Sequence, residues 1–458
     1  MGSSKINCDD LTPAGRICLH PEMDLIIHCA FGVKNPIDVD SIKAFVRNSL
    51  MVEHPRFCSL LVRDKKGVEH WKRTEIDIDK HIIIVDPTTK DAVEDDDSNH
   101  VDSSDNNDDV ERIVNDYLAD LSVTTPLSED KPLWELHLLL KQNCIVYRIH
   151  HALGDGISLM SLFQADCRKA DDPKAVPTVV SGGRRDSTCS GLRGNSNGWI
   201  RVLLGSLNMV LFSCVFCLEF KTVITGGPGV ELWPRKLATA KFRMEDMKVV
   251  KEAIASATIN DVLFGVISSG LSRYLDHRYP NALSDGLRLT GLEMDMSELM
   301  ENNSRSRWGN KFGALLLPVY YQKGGVDDHL EYVRRAKKMI DRKKRTFEAR
   351  FSYSISCLAA YRRTYRLICN TSFTVSNVVG PKEIIIGDNP VTFLRVNVSS
   401  MPQALVMHMV SYEGRADMQI LVAKDIIPDP EFLAKCFEGA LLDMKEAATR
   451  SASFNPIV

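Results

Sequence analysis

Two adjacent histidines, His150 and His151, lie directly after a short apolar run and just before a loop that holds one aspartate, Asp155. The apolar run, residues 144–149, predicts a strand that ends at the histidines. Such a strand places an imidazole at the rim of a sheet, where the ring can reach a ligand. Because imidazole titrates near neutral pH, a histidine in this position suits the removal of a proton from an alcohol.

The loop after the histidines contains two glycines, Gly154 and Gly156, which permit the tight backbone that a short loop needs. Asp155 lies between them and can either turn back toward the ring of His151 or anchor the loop. A helical pattern over residues 157–167 follows. Two adjacent histidines alone would favour structural roles, in which one caps the strand and the other is a buried core residue. The aspartate and both glycines together favour a catalytic role.

Residues 150–156 resemble the HHxxxDG signature of coenzyme A-dependent acyltransferases. That superfamily contains chloramphenicol acetyltransferase, the condensation domains of peptide synthetases, and the wax ester synthase/diacylglycerol acyltransferases. Extended through Leu162, the segment is similar to the plant branch of the last group. Further segments follow in the order that this family has them, so the resemblance covers residues 11–412. They are residues 11–13, 54–57, 132–135, 258–263, 270–275, 308–310 and 376–381.

The resemblance implies an α/β fold built from two chloramphenicol-acetyltransferase-like α/β domains with a substrate tunnel between them. It also implies a reaction in which an acyl group passes from acyl-CoA to a long-chain alcohol, giving a wax ester, or to diacylglycerol, giving triacylglycerol. Acyl-CoA is a substrate in this reaction, and neither a resident cofactor nor a metal ion is implied. Both acceptors present a hydroxyl group on an apolar body, so the residue types fit either of them.

The family match assigns roles to the residues of the motif. His151, the second histidine, would take the proton from the attacking hydroxyl and later return it to the departing coenzyme A thiolate. Proton transfer of this kind supplies about 10²–10⁴-fold in rate. Asp155 and Gly156 would hold the geometry of the loop and ring, and His150 would be structural.

Five further residues are candidates for contact with the substrate. The tetrahedral intermediate of acyl transfer carries an oxyanion, which needs fixed hydrogen-bond donors. Asn260, at the head of a predicted helix, could donate to it or position the alcohol; equally, Asn260 and Asp261 could simply cap that helix. Ser376, Asn377 and Gly380 match a late loop of the family, and they either line the tunnel or form a tight turn.

Length, composition and charge are those of an ordinary globular protein. The chain has 458 residues, which is too long for one core, so two domains are expected. It is 44% hydrophobic and 26% charged, and its net charge of -3 gives no reason to expect nucleic acid as a partner. The 12 cysteines have no repeated spacing and follow no apolar leader, so we expect mostly reduced thiols in a chain that faces the cytosol.

The domain organisation is predicted from shifts in composition along the chain. Residues 1–170 form an N-terminal acyltransferase domain that carries the HHxxxDG motif, and residues 233–458 form a C-terminal one. Residues 171–232 separate them and begin with a stretch rich in Ser, Gly, Arg and Pro, which is typical of a linker.

An apolar segment at residues 202–218, inside this linker, contains no charged residue. Its length of seventeen residues is at the short end of what spans a bilayer. A spanning helix, a helix in the membrane interface and a buried helix are all open, and we favour membrane attachment, with membrane lipid as a partner. The expected location is the endoplasmic reticulum membrane, with the active site facing the cytosol; the plasma membrane is the alternative. The oligomeric state is not specified by these patterns.

An acidic block occupies residues 91–111, where Asp or Glu fills ten of twenty-one positions and Lys and Arg are absent. Such a block repels itself and is too polar to fold alone, so a solvated loop is predicted. A calcium site is the alternative, but the spacing with a central glycine and a closing glutamate is absent.

Hydrophobic periodicity predicts alternating strands and helices around these features. One helix, residues 42–50, would follow Asp40 as its N-cap. Another, residues 262–275, is apolar on nearly all sides and should be buried. The remaining predictions are a strand at residues 58–62 that a turn at residues 65–67 joins to a second strand, a hairpin over residues 136–149, and a helix with one apolar face over residues 247–254.

A strongly basic helical segment covers residues 334–345. A solvated helix face is the simplest interpretation. The alternative ligands are the phosphates of anionic lipid headgroups or of coenzyme A.

Three other functions are alternatives to the one that the resemblance implies. A soluble alcohol acyltransferase of specialised metabolism would carry a late DFGWG element, and this chain has only Trp308 and Gly309 without it. A condensation domain of a peptide synthetase would have a neighbouring carrier module. A lipid-binding protein with a vestigial site is opposed by the intact residues His151, Asp155 and Gly156.

Overall fold

A computed structural model describes residues 8–86, 105–124, 126–167, 222–280, 283–295, 308–310, 313–344, 346, 348, 352 and 371–454. In these residues the helices are α1 (Pro13–Cys18), α2 (Val39–Arg47), α3 (Leu50–Glu53), α4 (Asp105–Thr124), α5 (Gly156–Asp166), α6 (Met244–Glu252), α7 (Ile259–Arg278), α8 (Leu330–Lys344) and α9 (Pro430–Phe454). Short 3₁₀ helices cover Pro21–Met23, Ile78–Lys80 and Val230–Leu232.

The strands in the same residues belong to three sheets. They are β1 (Cys8–Asp10), β2 (Ile26–Val33), β3 (Ser59–Arg63), β4 (Glu69–Arg73), β5 (Ile82–Val85), β6 (Trp134–Leu139), β7 (Cys144–His150), β8 (Arg235–Arg243), β9 (Arg288–Asp295), β10 (Gly313–Tyr320), β11 (Phe373–Val379), β12 (Ile385–Ile386), β13 (Asn389–Val398), β14 (Leu405–Tyr412) and β15 (Arg415–Ala423).

Two six-stranded sheets form the centres of the two domains. The first sheet has the strand order β12-β13-β2-β7-β6-β5, and the second has the order β10-β9-β11-β14-β15-β8. Both sheets are mixed, because β5 runs parallel to β6 and β11 runs parallel to both β9 and β14. A small sheet of β1, β4 and β3 accompanies them. The predicted α/β fold with two sheet-containing domains is therefore confirmed; the substrate tunnel stays a prediction.

The first sheet contains two strands that come from late in the chain. In this sheet β13 pairs antiparallel with β2, with Val396 opposite Cys29, and β12 pairs with β13. The domain boundaries at residues 170 and 232 stay predictions, because residues 168–221 lie outside the described part. The pairing adds that the C-terminal half of the chain completes the N-terminal sheet.

The core of the first domain packs between its sheet and helix α5. The rings of Phe31, Tyr147 and Phe163 contact one another edge to face, with centroids 5.1–5.4 Å apart. This geometry is favourable for aromatic side chains beyond the burial of their surface. The packing ties β2, β7 and α5 together, which are the elements on both sides of the histidine loop.

Helix α7 is buried on nearly all sides, as its sequence predicted. Two glycines allow the neighbouring helices to approach it closely. A Cβ atom added to Gly265 would lie 2.8 Å from Val333 of α8, and one added to Gly270 would lie 2.3 Å from Phe437 of α9. Such separations are too short for carbon atoms, so this three-helix layer depends on both glycines.

Two predictions about the ends of helix α2 were wrong. Helix α2 is capped by Asp38, which accepts from the backbone N–H of Ser41, and Asp40 lies in its first turn. Leu50 does not extend α2, because Asn48 ends it and α3 begins afresh. Aspartate is a good N-cap residue at either position, so periodicity could not choose between Asp38 and Asp40.

The acidic block is only partly a loop. Residues 105–111 belong to helix α4, which corrects the predicted solvated loop for these residues, and residues 91–104 lie outside the described part. Glu111 lies 2.7 Å from Arg395 of β13 and 2.9 Å from Lys241 of β8. The carboxylate of Glu111 therefore has cationic partners in both domains, which stabilise this end of the acidic block.

An ion pair joins the two sheets directly. Arg395 of β13 lies 3.0 Å from Asp417 of β15, and both side chains are 5% exposed. Burial of two charges is unfavourable unless they are paired, so the pair fixes how β13 meets β15. This contact holds the second domain against the sheet that carries His151.

Within the residues that the structure describes, none of the helices has the length and apolar character needed to cross a bilayer. The apolar segment at residues 202–218 lies outside those residues. Six described cysteines are free and buried.

Candidate active site

Strand β7 ends at His150, and His151 is the first residue of the loop that follows. The backbone N–H of His151 donates to the carbonyl oxygen of Leu25 at 2.8 Å, and that of His150 donates to Leu133 at 3.0 Å. Both histidines are therefore anchored by the residues that directly precede strands β2 and β6. The sequence-predicted strand end is confirmed.

The side chain of His151 is held by Asn310, which comes from the second half of the chain. The Asn310 amide nitrogen donates to the backbone carbonyl oxygen of His151 at 2.9 Å. A carbonyl oxygen only accepts, so this bond fixes the orientation of the amide and turns its oxygen, Oδ1, toward the ring. Oδ1 lies 2.9 Å from Nδ1 of His151, so Nδ1 carries the proton and donates it. The lone pair of the neutral ring is then on Nε2.

His151 is 5% exposed, and burial lowers its pKa below the ordinary value of 6.5. The nearby charge of Asp155 and the hydrogen bond with Asn310 oppose that effect without reversing it. The ring is therefore neutral at neutral pH. A neutral imidazole with a lone pair on Nε2 is the form that accepts a proton from an alcohol.

His150 has the opposite tautomer. The backbone N–H of Ala152 donates to Nδ1 of His150 at 3.0 Å, so Nδ1 is the acceptor. Nε2 carries the proton and lies 2.9 Å from the carboxylate of Asp24. Both ring nitrogens of His150 therefore contact the protein, which is a structural arrangement.

Asp155 and Gly156 form the start of helix α5. Asp155 is its N-cap, and its carboxylate accepts from the backbone N–H of Ser158 at 2.9 Å. Gly156 is the first helical residue, and a Cβ added there would lie 3.5 Å from Val378 of β11. The cap explains how the aspartate anchors the loop, and the contact places β11 of the second domain next to it.

Residues 308–310 cover the histidine loop from the second half of the chain. The indole Nε1 of Trp308 donates to the carbonyl oxygen of Leu153 at 2.8 Å. The Ser158 hydroxyl donates to the carbonyl oxygen of Gly309 at 3.2 Å and lies 3.2 Å from its backbone nitrogen. A Cβ on Gly154 would lie 3.1 Å from the Trp308 ring, so this glycine makes room for the indole. The site is thus assembled from two distant segments.

Asn260, Asn377 and Glu293 form a chain of hydrogen bonds. The Asn377 amide nitrogen donates to Oδ1 of Asn260 at 2.7 Å, and the Asn260 amide nitrogen donates to Glu293 at 3.2 Å. Helix α7 is capped by Thr258 together with Asp261 in a reciprocal capping box. Asp261 therefore has the helix-capping function, and the oxyanion role of Asn260 stays a prediction.

Ser376 lies within strand β11, and Gly380 directly follows the strand. Ser376 is 7% exposed and lies opposite His408 of β14. A Cβ on Gly380 would lie 2.4 Å from the carbonyl oxygen of Ser411, so glycine is needed for close backbone approach there. Among the predicted substrate contacts, the position of Ser376 suits a contact with substrate, and this role stays a prediction.

Two profiles of one family match the chain. The profile of the wax ester synthase/diacylglycerol acyltransferase catalytic domain matches residues 112–218, and that of the WS/DGAT C-terminal domain matches residues 308–445. The protein named wax ester synthase/diacylglycerol acyltransferase 11 from Arabidopsis thaliana is 33% identical, over 96% of this chain and 95% of that protein. This chain belongs to the wax ester synthase/diacylglycerol acyltransferase family.

Solved structures agree with this family on the fold. A wax ester synthase/diacylglycerol acyltransferase from Marinobacter aquaeolei VT8 matches with a TM-score of 0.60 and 14% identity, covering 96% of this chain and 100% of that one. TRI3 trichothecene 15-O-acetyltransferase from Fusarium sporotrichioides matches with a TM-score of 0.59 and 13% identity, covering 96% and 94%. At these identities the likeness shows the fold alone.

The basic segment of this wax ester synthase/diacylglycerol acyltransferase family member is helix α8, and most of its charges are paired. Acidic side chains within 4 Å partner Arg334, Arg335, Lys337 and Lys343. A groove of about 880 Å³ runs along α8 and is lined by residues such as Phe264, Tyr332 and Met339. The histidine loop does not line this groove. The pairing agrees with a solvated helix face.

The contact of Asn310 with the candidate base His151 is the feature of the site that sequence reasoning missed in this family member. Residues 308–310 match a family motif, but nothing in their spacing connects them with His151. Among the described residues, no three or more His, Cys, Asp or Glu side chains are close enough to hold a metal ion.

Proposed function

We propose that this protein transfers the acyl group of an acyl-CoA to the hydroxyl of a long-chain alcohol, of diacylglycerol, or of both, with His151 as the general base. The observation that carries this proposal is the pair of hydrogen bonds between Asn310 and His151. These two bonds place the ring proton on Nδ1, so Nε2 of the buried, neutral ring is the proton acceptor. Family membership supplies the two classes of acceptor.

The reaction has two steps at this nitrogen. Nε2 of His151 takes the hydroxyl proton as the alcohol oxygen attacks the thioester carbon, and the electron pair of the C=O bond moves to the oxygen. When the tetrahedral intermediate collapses, the C–S bond breaks and the sulfur leaves with the proton that His151 returns. The Nδ1 hydrogen bond to Asn310 stabilises the imidazolium between these steps. Acyl-CoA is consumed as a substrate, so the scheme uses no resident cofactor.

The experiment is a product analysis with both acceptors present. Membranes from cells that lack their own neutral-lipid synthesis would carry the wild-type chain or a His151→Ala variant and receive labelled palmitoyl-CoA, hexadecanol and diacylglycerol. Wild-type membranes should form wax ester, triacylglycerol or both, and the variant should lose at least about a hundredfold in rate. Equal rates for the two proteins would contradict the assignment of His151. If well-expressed wild-type protein forms no ester at all, the proposed function is contradicted.

We further propose that the chain works at the endoplasmic reticulum membrane with the active site facing the cytosol, the plasma membrane being the alternative. The support is the uncharged run of residues 202–218 and the apolar nature of the proposed acceptors. Replacing two apolar residues of that run by lysine should move the protein from the membrane pellet to the supernatant. Retention of the variant in the pellet would contradict attachment through this segment.

A further inference from the structure

His408 of β14 is a buried side chain that the mechanism above does not use. It is 5% exposed, and neither Nδ1 nor Nε2 has a hydrogen-bond partner among the residues that the structure describes. A buried polar group without a partner is costly, because it has lost its contacts with water. Residues that keep such a cost are concentrated at functional sites.

The side chain faces the first domain. Successive residues of a strand point to opposite faces of a sheet. Leu405, Met407 and Met409 belong to the core of the second domain, whereas Val406 and Val410 belong to the core that contains the histidine loop. His408 lies between those two valines, so its ring points toward the first domain.

Neighbouring residues place this ring beside the histidine loop. Ser376 of β11 lies directly opposite His408 in the parallel pairing of β11 and β14. Two residues further along the same face, Val378 lies 3.5 Å from the Cβ position of Gly156. Adjacent strands are about 4.8 Å apart and alternate residues about 6.6 Å, so His408 is within about two side-chain lengths of the start of α5.

The protonation state of His408 limits what it can do. Burial, with a smaller contribution from the charge that His151 can carry, lowers the pKa of His408 to about 3. The ring is therefore neutral over the whole physiological range and offers one N–H donor and one acceptor. It cannot serve as a second acid or base at neutral pH, but its N–H can donate to an oxygen.

The other candidate donors of the second domain, Asn260 and Asn377, already donate one hydrogen bond each within the protein. Asn260 makes hydrogen bonds through both its amide oxygen and its amide nitrogen, and the Asn377 amide nitrogen donates to Asn260. The hydroxyl of Ser376, in contrast, has no hydrogen-bond partner within the described residues. His408 and Ser376 are thus adjacent donors on the face that meets the histidine loop.

We propose that His408 is a catalytic residue whose neutral N–H donates a hydrogen bond to the oxygen of the thioester carbonyl as that oxygen becomes negatively charged. This inference rests on the proposed function. When the alcohol attacks, the C–O bond forms and the C=O electron pair moves to this oxygen, while the alcohol proton goes to His151. The pair returns as the C–S bond breaks. His408 keeps its proton throughout, and Ser376 is the neighbouring donor to the same oxygen.

The test compares activity with stability in His408→Leu and His408→Gln, assayed with palmitoyl-CoA and hexadecanol or diacylglycerol. Loss of one oxyanion donor lowers kcat by about 10²–10³-fold, and that loss is expected for the leucine variant. The same variant should melt at a higher temperature than wild type, because it removes an unpaired polar group from an apolar face. The glutamine variant keeps an N–H donor and should recover at least tenfold over leucine.

The matched control is His81→Leu. His81 is 1% exposed and neutral, with its pKa lowered to about 4 by burial, but its Nδ1 lies 2.7 Å from the carbonyl oxygen of Trp134 and its ring stacks on that indole. Its replacement should lower the melting temperature and leave kcat within about twofold of wild type. The two buried histidines should thus respond in opposite ways.

The outcomes separate this proposal from the proposed function. An active wild type whose His408→Leu variant keeps its kcat would overturn the role of His408 alone. A lower melting temperature with a proportional loss of soluble protein, and normal kcat in the folded fraction, would also overturn it. If the leucine variant does not fold, His408→Met, which fills irregular space more easily, replaces it under the same criteria. A wild type that forms no ester overturns both proposals.

Discussion

Asn310 and His151 exchange two hydrogen bonds of 2.9 Å across 159 residues of chain. One bond orients the amide, and the other fixes the proton on Nδ1 of the imidazole. Asn310, a residue of the second domain, therefore fixes the tautomer that the proposed general-base role of His151 requires. Asp155 caps helix α5 and places a negative charge near the ring.

Asn310→Ala should lower kcat by about 10–100-fold with a smaller change in KM, because the ring loses the acceptor that selects its tautomer and stabilises the imidazolium. Asn310→Asp keeps an acceptor on Nδ1 and should be more active than the alanine variant. Steady-state kinetics with palmitoyl-CoA would measure both. Equal activities of alanine variant and wild type would show that the tautomer is set elsewhere.

The acid limb of the pH–rate profile should lie below pH 6.5. The active form of His151 is neutral, and burial lowers its pKa, so protonation stops the reaction only at a more acidic pH than for free imidazole. Asp155→Asn keeps an N-cap but removes the charge that raises this pKa, and its acid limb should move further to low pH. An acid limb above 6.5 in the wild type would contradict the buried neutral ring.

The two histidines should respond differently to the same replacement. His151→Gln removes the base and should abolish most activity, whereas His150→Gln removes a ring that contacts Asp24 and the backbone of Ala152. The latter should mainly lower the melting temperature, with kcat of the folded protein within about tenfold of wild type. Thermal unfolding and kinetics on the same samples would separate the effects. A reversed order of activities would exchange the assigned roles.

Arg395→Met should destabilise the protein by about 3–5 kcal/mol, because it leaves the buried carboxylate of Asp417 without its cation. Urea unfolding would measure the change. Arg243→Met is the control, since Arg243 forms an exposed pair with Glu245 and should change stability by no more than about 1 kcal/mol. The double variant Arg395→Met, Asp417→Leu should recover part of the loss, and an additive effect would contradict the coupling.

Membrane recovery at low salt should depend on the exposed basic residues of α8 that have no acidic partner in the described part of the chain. Lys338 and Arg342 fit this description, whereas Arg334 and Arg335 are paired with Asp328 and Glu331. Replacing Lys338 and Arg342 with Gln should lower recovery severalfold in vesicles that contain anionic lipid. The Arg334, Arg335 double variant is the control. Equal recovery of all variants would leave α8 as a solvated face.

Local sequence patterns predicted the strands and helices around the site, but they did not predict which distant residues contact them. An apolar run that ends in two histidines predicted strand β7, and a helical pattern after Gly156 predicted α5, because both depend on neighbours in sequence. The role of Asn310 could not be predicted, since its contact with His151 exists only after two domains meet. The same reason explains why β12 and β13 were not assigned to the first sheet.

The charge pattern of the acidic block was misleading, because partners of Glu111 come from distant strands. The acidic block predicted a solvated loop, but Glu111 lies in a helix between Arg395 and Lys241. The basic segment of α8 predicted either solvent or phosphates, and four of its charges have acidic partners nearby. The partners of α8 lie within six residues in the sequence, whereas those of Glu111 are distant and could not be foreseen from the local net charge.

The pairing of β13 with β2 constrains how the protein is made. Strand β2 is fully buried along its eight residues in the finished protein, yet its partner is synthesised more than 350 residues later. At about 5–20 residues per second, translation leaves that edge unpaired for tens of seconds. An apolar strand with an open edge is a template for pairing with other chains. We therefore expect the nascent chain to need chaperone protection during this interval, and a fragment that ends before residue 389 to aggregate through the open edge of β2.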